Sequence, residues 1–95
     1  MLERSKIDQE LASIWQEVLG VEVIDPEDDF FDLGGNSLTA MRIVSRIQDV
    51  FSLEMTASVL ASASMFKDFA QVLAITLQEF EANADALGTA RDRNP

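Results

Sequence analysis

Apolar residues recur every three or four positions in several stretches of this chain, which is the spacing of amphipathic helices. The three longer stretches run from about Ser5 to Leu19, Ser37 to Phe51 and Met65 to Ala82. The shorter stretch runs from about Thr56 to Ala61. The pattern therefore predicts an all-α fold, a small four-helix bundle of three longer helices and one short helix.

The predicted core face of each longer helix collects the apolar residues on one side of its helical wheel. These faces are Ile7, Leu11, Ile14, Val18 and Leu19 in the first helix, Ala40, Ile43, Val44, Ile47, Val50 and Phe51 in the second, and Phe66, Phe69, Ala70, Leu73, Leu77 and Phe80 in the last. Trp15, beside the first stripe, is also predicted to pack in the core. Ser5 with Asp8 resembles a capping box, Gly20 is a natural helix end, and Ser64 is a candidate cap.

Length and composition suit a single small domain. The chain has 95 residues, 47% of them hydrophobic, and no apolar run approaches the roughly 18 residues that a membrane span needs. We expect residues 1–82 to form the domain and residues 83–95, which are polar and include Gly88, to form a flexible C-terminal tail. A soluble, cytoplasmic, monomeric protein is the expectation.

The net charge and the missing residue types exclude several functions. A net charge of −10 disfavours nucleic acid and anionic membranes as partners, because both repel an acidic surface. The chain has no Cys, no His and no Tyr, so it lacks thiol nucleophiles, thiolate ligands and the commonest general base. No residue is predicted to be catalytic, and the composition argues against a self-sufficient enzyme.

A long loop, Val21 to Asn36, separates the first two predicted helices. Pro26 and Gly34-Gly35 exclude a helix here, and the apolar members, which we expect to pin the loop to the core, are Val21, Ile24, Phe30, Phe31 and Leu33. The acidic residues raise the alternative of a calcium loop. An EF-hand starting at Asp25 requires Gly at its sixth position and Glu at its twelfth, where this chain has Phe30 and Asn36. We therefore predict no metal site.

Ser37 lies where this loop meets the second helix. On residue type alone it could be an N-cap, a first-turn residue or the carrier of an anionic group, which the positive end of the helix would stabilise. Leu38 and Met41 fall outside the core arc of the second helix, on the same side as Ser37 and Arg42. They are either ordinary surface hydrophobes or a docking patch.

The run Asp29-Phe30-Phe31-Asp32-Leu33-Gly34-Gly35-Asn36-Ser37-Leu38 resembles the attachment site of phosphopantetheine-dependent carrier proteins. It is most similar to the peptidyl carrier (thiolation) domains of nonribosomal peptide synthetases. The resemblance extends to the first helix, the loop and the segment before the short helix, about four-fifths of the chain. Asn36 departs from the family pattern, which usually has His or Asp before the Ser.

The resemblance implies a function without catalysis. Ser37 would carry a covalent 4′-phosphopantetheine arm from coenzyme A, added by a phosphopantetheinyl transferase, and the arm would hold an aminoacyl, peptidyl or aryl group as a thioester. Asn36, Leu38, Met41 and Arg42 would belong to the surface that meets the partners. Those partners would be the transferase, an adenylating (loading) enzyme, and condensation, tailoring or thioesterase enzymes of antibiotic or related biosynthesis.

Two alternatives remain at this point. One is an acyl carrier protein of fatty-acid or polyketide type, which Arg42 and Arg46 disfavour because such carriers usually present acidic residues on the second helix. The other is a helical interaction module that is never modified. The sequence identifies neither the cargo nor whether the carrier is free-standing or part of a synthetase.

Overall fold

The computed structural model describes residues 3–92 and consists of four helices. They are α1 (Arg4–Leu19), α2 (Ser37–Phe51), α3 (Ser58–Ser62) and α4 (Phe66–Asp92). Within the described residues the only sheet-like pairing is an isolated antiparallel bridge between Asp29 and Met65. The all-α prediction is confirmed, and the predicted bounds of α2 coincide with the observed ones. Helix α3 begins two residues later than predicted.

The ends of α1 follow the sequence only in part. Gly20 ends the helix in the left-handed conformation, with φ of 71°, and its N–H donates to the Gln16 carbonyl, as predicted. The predicted capping box is wrong. Helix α1 already begins at Arg4, with Glu3 as a cap that makes no side-chain bond, and Asp8 accepts a bond from the Arg4 side chain at 2.9 Å.

The core is centred on aromatic side chains from α1, the loop and α4. Trp15 is fully buried, and its ring meets those of Phe30 and Phe66 edge to face at centroid distances of 5.8 and 5.1 Å. The buried residues are Ile7, Leu11, Ile14, Trp15, Val18, Phe30, Ala40, Ile43, Ile47, Phe51, Leu53, Leu60, Phe66, Phe69, Ala70 and Leu73. Most of the predicted core faces are therefore confirmed.

Val50 and Phe80 are the two residues of the predicted helix core faces that the structure exposes, at 40% and 48% of their surface. Val50 lies in the last turn of α2, where Phe51 takes the core position. Phe80 lies in helical register with the buried residues of α4. The other helices cover α4 only as far as the turn before Phe80. Periodicity predicts a face of a helix and cannot predict how far along the helix its neighbours extend.

Helix α4 continues to Asp92, so the predicted helix end near Ala82 is wrong. The added segment is rich in Ala and has no Pro before Pro95, and its single Gly88 costs only about 1 kcal/mol of helix stability. The tail prediction for 93–95 falls outside the described residues. The division of the chain at residue 82 into domain and tail stays a prediction. No helix among residues 3–92 is both long and apolar enough to cross a membrane.

Candidate functional site

The loop between α1 and α2 is fixed to the start of α4 by backbone hydrogen bonds. The bonds are Phe30 N–H to the Ser64 carbonyl at 2.7 Å, Phe66 N–H to the Asp28 carbonyl at 2.8 Å and Lys67 N–H to the Pro26 carbonyl at 3.0 Å. An ion pair between Lys67 and Glu27, at 2.7 Å, lies beside them. The segment that leads to Ser37 is therefore held from a helix that is distant in the sequence.

Asp29 organises the centre of this loop. One carboxylate oxygen accepts the Ser64 hydroxyl, and the other accepts the N–H groups of Phe31 at 2.9 Å and Asp32 at 3.1 Å. The Ser64 bond is the main reason that the pKa of Asp29 lies below its ordinary value of 3.8; desolvation opposes it, and the two N–H groups add to it. Ser64 thus bonds the loop instead of serving as the predicted cap.

The other acidic residues of the loop also bind backbone. Asp25 accepts the Glu27 N–H at 2.8 Å, and Asp28 accepts the Asp25 N–H at 2.8 Å. Such carboxylate turns explain why this loop is rich in Asp. Among the described residues, no group of three or more acidic, His or Cys side chains could hold a metal ion.

The ionised carboxylate of Asp29 should make the stability of the fold depend on pH in the acidic range. Because its folded-state pKa is lowered, its contribution to stability is complete above the unfolded-state pKa near 3.8 and is lost as the pH falls through the folded-state pKa. We expect Asp29→Asn to lower the melting temperature at pH 7, by a difference that shrinks as the pH falls below the unfolded-state pKa. Asp32→Asn is the control, since that carboxylate makes none of these bonds. A melting-temperature difference that is constant with pH would contradict the role of Asp29.

Phe30 and the two glycines shape the approach to α2. Phe30 is fully buried, and a Cβ on Gly35 would come within 2.4 Å of its ring, so this position has no room for a side chain. Gly34 has a φ of 94°, which favours glycine for a different reason. In the sequence the glycine pair only excluded a helix, and no sequence signal showed that Gly35 packs against Phe30.

Asn36, and not Ser37, is the N-cap of α2. Its side-chain oxygen accepts the N–H groups of Leu38 at 2.9 Å and Thr39 at 3.0 Å, and the Thr39 hydroxyl accepts the Asn36 N–H at 2.8 Å, which completes a capping box. Ser37 is the first helical residue and is exposed. Among the described residues its hydroxyl forms no hydrogen bond. The N-cap alternative for Ser37 is therefore removed.

The cap changes one electrostatic expectation. An anion on Ser37 would find the N–H groups of Leu38 and Thr39 already bonded to Asn36, and that of Ala40 bonded to the Asn36 carbonyl. The positive end of the α2 dipole remains next to Ser37, but direct backbone bonding is restricted. An anionic group on this hydroxyl would point into solvent.

The surface around Ser37 is unusually apolar. Leu38, Met41 and Phe31 are exposed by 67%, 61% and 50%. Phe31 was expected to help pin the loop to the core, and this prediction is wrong, because Phe30 takes the core position and turns its neighbour outward. A cleft of about 270 Å³ lies beside Ser37, between α2 and α3. Its lining residues are Phe31, Asn36, Ser37, Ala40, Met41, Ala57, Ser58, Leu60 and Ala61.

The two basic residues of α2 differ in their surroundings. Arg46 forms an ion pair with Glu17 of α1, which ties it to the bundle. Arg42 is exposed, and it makes no salt bridge with the side chains that the structure describes, those of residues 3–80. The structure thus brings Arg42 together with Ser37, Leu38 and Met41, as the sequence predicted. It adds Phe31 to this surface, and no sequence signal distinguished Phe31 from Phe30.

The site has an exposed serine at the first position of a helix, a preceding loop that is fixed to the bundle, and an apolar surface beside the serine. Together these features define a small carrier-type helical domain. The family model described as "Phosphopantetheine attachment site" matches residues 9–73. Gramicidin S synthase 2 of Brevibacillus brevis is 42% identical over 80 residues, which cover 84% of this chain and 2% of that protein. This chain therefore spans only a small fraction of the length of the curated relatives that it matches first.

Several solved structures are similar to this chain. BlmI, a type-II acyl-carrier-protein from Streptomyces verticillus involved in bleomycin biosynthesis, has a TM-score of 0.73 and 31% identity over 78% of this chain and 89% of that one. A peptidyl carrier protein solved with the phosphopantetheine transferase Sfp and coenzyme A has a TM-score of 0.68 and 35% identity, over 73% of this chain and 90% of that one. A docking-domain complex of the Pax synthetase, PaxA T1-CDD/PaxB NDD, has a TM-score of 0.73 and 29% identity, over 94% of this chain and 85% of that one.

The chain belongs to the phosphopantetheine attachment-site family, whose cofactor is 4′-phosphopantetheine. Its synthetase relatives and peptidyl carrier neighbours make it a carrier domain of the nonribosomal peptide synthetase type.

Proposed function

We propose that Ser37 carries the 4′-phosphopantetheine arm and that the chain presents aminoacyl or peptidyl groups, bound to that arm as thioesters, to partner enzymes. The observation that supports this proposal is the exposed, unbonded hydroxyl of Ser37 at the first position of α2, inside the segment that the family model matches. The residues present fit the group, because the hydroxyl faces solvent beside an open cleft and beside a positive helix end.

The attachment step is simple in chemical terms. The Ser37 oxygen forms a bond to the phosphorus of the pantetheine phosphate, the pyrophosphate bond of coenzyme A breaks, the nucleotide leaves and the hydroxyl proton is transferred to solvent or to the transferase. The arm then supplies the thiol for thioester chemistry. Asn36 and Thr39 hold the first turn of α2 in place, so that the hydroxyl stays at the surface. The chain itself performs no catalysis.

The partners follow from this role. The solved complex with the transferase Sfp supports a phosphopantetheinyl transferase as the modifying enzyme. We also propose an adenylating enzyme that loads the arm, and condensation, tailoring or thioesterase enzymes that use the cargo. The docking-domain complex supports a further contact with another synthetase subunit. A cytoplasmic location fits such partners.

The direct experiment is to incubate the full chain with coenzyme A and a broad-specificity phosphopantetheinyl transferase. We expect the intact mass to rise by one phosphopantetheinyl group, and peptide mapping to place that group on the peptide that contains Ser37. An unmodified chain under conditions that modify a known peptidyl carrier would contradict the proposal and favour the unmodified interaction module.

The docking surface for these enzymes is proposed to consist of Phe31, Asn36, Leu38, Met41 and Arg42. Leu38 and Met41 expose most of their apolar surface within reach of Ser37, and Met adapts to differently shaped partners. Arg42 adds one positive charge to the rim, in a chain whose net charge is −10. This charge would favour a carboxylate at the matching place on the partner.

Met41→Ala should slow loading far more than it lowers stability. Met41 is 61% exposed, so the free energy of unfolding should change by only about 0.5 kcal/mol. Loss of an apolar contact at the interface should reduce kcat/KM for the transferase by about fivefold to tenfold. Val50→Ala is the matched control, because Val50 is also exposed on α2 but lies at the far end from Ser37. A large fall in melting temperature with unchanged loading would contradict this docking role.

A further inference from the structure

Methionine sulfur is the most readily oxidised group that this chain has. The sequence contains no Cys, and its single tryptophan, Trp15, is fully buried. The four methionines are Met1, Met41, Met55 and Met65. An oxidant has to reach the thioether sulfur to react with it, so the exposure of each methionine decides which of them reacts first.

Met41 is the most exposed of the methionines that the structure describes. It is 61% exposed, whereas Met55 and Met65 are partly buried. Met55 packs against the hydrophobic core, and Met65 is held by the antiparallel bridge to Asp29. Met1 lies outside the described residues. Among the described methionines, an oxidant in solution would therefore meet Met41 first.

Three surface clefts border Met41. The cleft of about 270 Å³ lies beside Ser37, and a second, of about 440 Å³, lies between α2 and the segment before α3. A third, of about 400 Å³, lies between α1 and α2 and is also lined by Val18 and Leu38. An oxidant can therefore approach the Met41 side chain from several directions.

The oxidation step needs only a peroxide as co-reactant. A lone pair of the Met41 sulfur attacks one oxygen of the peroxide, and the oxygen–oxygen bond breaks. The proton of the transferred oxygen moves to the leaving oxygen, which departs as water when the oxidant is hydrogen peroxide. The sulfur is oxidised to a sulfoxide and the peroxide is reduced. An apolar side chain thereby becomes polar and chiral at sulfur.

The sulfoxide would lie within the proposed docking surface. Met41 follows Ser37 by four residues, which places both on the same side of α2. The apolar side chains of Leu38 and Phe31 are exposed on the same surface. A partner enzyme that covers this surface would have to desolvate the sulfoxide oxygen, which opposes binding unless the partner supplies a hydrogen bond.

We propose that Met41 is a site of reversible oxidation by peroxides, and that the sulfoxide at this position slows the loading of Ser37 by weakening the docking of the transferase. Methionine sulfoxide reductases, one for each sulfoxide epimer, would restore loading. The selectivity for Met41 depends only on the exposure of the methionines. The effect on loading rests on the proposed function.

The first experiment measures where the chain is oxidised. The full chain is treated with hydrogen peroxide for increasing times, catalase stops the reaction, and peptide mapping by mass spectrometry gives the rate at each methionine. In the folded chain Met41 should be oxidised about fivefold or more faster than Met55 and Met65. In urea the three rates should converge, because burial no longer protects Met55 and Met65. Equal rates in the folded chain would overturn the proposal.

The second experiment measures loading. The chain oxidised at Met41 is freed of peroxide with catalase and incubated with coenzyme A and the transferase. We expect kcat/KM to fall by about tenfold, and to recover after treatment with both sulfoxide reductases. Met41→Leu, whatever its starting rate, should keep that rate after peroxide treatment. Met55→Leu is the matched control, and peroxide should slow its loading by the same factor as that of the wild type.

The outcomes separate this proposal from the carrier role. Unchanged loading of the chain oxidised at Met41, or an equal peroxide effect in Met41→Leu, would overturn the proposal. A loss of loading that coincides with a large fall in melting temperature would overturn it too, because oxidation would then act on the core. A chain that is not loaded even before peroxide treatment would refute the carrier role and with it the effect on loading. The mapping would still decide whether Met41 is the oxidation site.

Discussion

Ser37→Ala is expected to remain completely unmodified when it is incubated with coenzyme A and a phosphopantetheinyl transferase, while the wild-type chain gains one group. The reason is chemical, since the substitution removes the only atom of residue 37 that could bond to phosphorus. The fold should be unaffected. Ser37 is exposed and its hydroxyl has no partner among the described residues, so the free energy of unfolding should change by about 0.5 kcal/mol or less.

Ser45→Ala provides the control for this result, because Ser45 is another exposed serine of α2 and keeps Ser37 intact. It should be modified at the wild-type rate. Intact mass and the melting temperature should be measured on the same samples. Modification of Ser37→Ala to the wild-type extent would place the attachment elsewhere, and a lost modification that coincides with unfolding would reassign Ser37 to a structural role.

Phe30→Ala is expected to destabilise the domain by about 3–5 kcal/mol, a large part of the total stability of a domain of this size. Phe30 is fully buried, its ring packs edge to face against Trp15, and Gly35 lies against its other side. Its removal leaves a cavity at the point where the loop is joined to the core. Urea unfolding and amide hydrogen exchange should show the loss of stability and faster exchange in the loop before α2.

The neighbouring Phe31→Ala is the matched variant, and it should give the opposite combination. Phe31 is 50% exposed, and its ring packs edge to face on that of Phe30 with the centroids 5.1 Å apart. Its removal should therefore lower the free energy of unfolding by about 1 kcal/mol or less. It should nevertheless slow loading by the transferase, because Phe31 belongs to the proposed docking surface. The milder Phe30→Leu keeps the comparison possible if Phe30→Ala does not fold. Equal stability losses at both positions would contradict the assignment of one ring to the core and the other to the surface.

The contrast between these two rings illustrates what a sequence can predict here. Helix positions, the core stripes of α1 and α2 and the place of Ser37 all follow from spacing, because the period of an α-helix fixes which residues share a face. Phe30 and Phe31 are adjacent in a loop, where no regular period applies. Only the pairing of the loop with the start of α4, through Ser64 and Phe66, determines which of the two rings turns inward.

The sequence by itself determined the all-α class, the carrier resemblance and the exposure of Leu38 and Met41, since all of these depend on residues close together in the chain. The cap of α2 by Asn36 is equally local, since Asn36 bonds only Leu38 and Thr39, and the structure identified it. Tertiary structure decided that Phe30 turns inward, that Asp29 bonds Ser64, and that Phe80 lies beyond the bundle. These outcomes depend on contacts between distant segments and on the relative lengths of helices. Local periodicity contains no information about either.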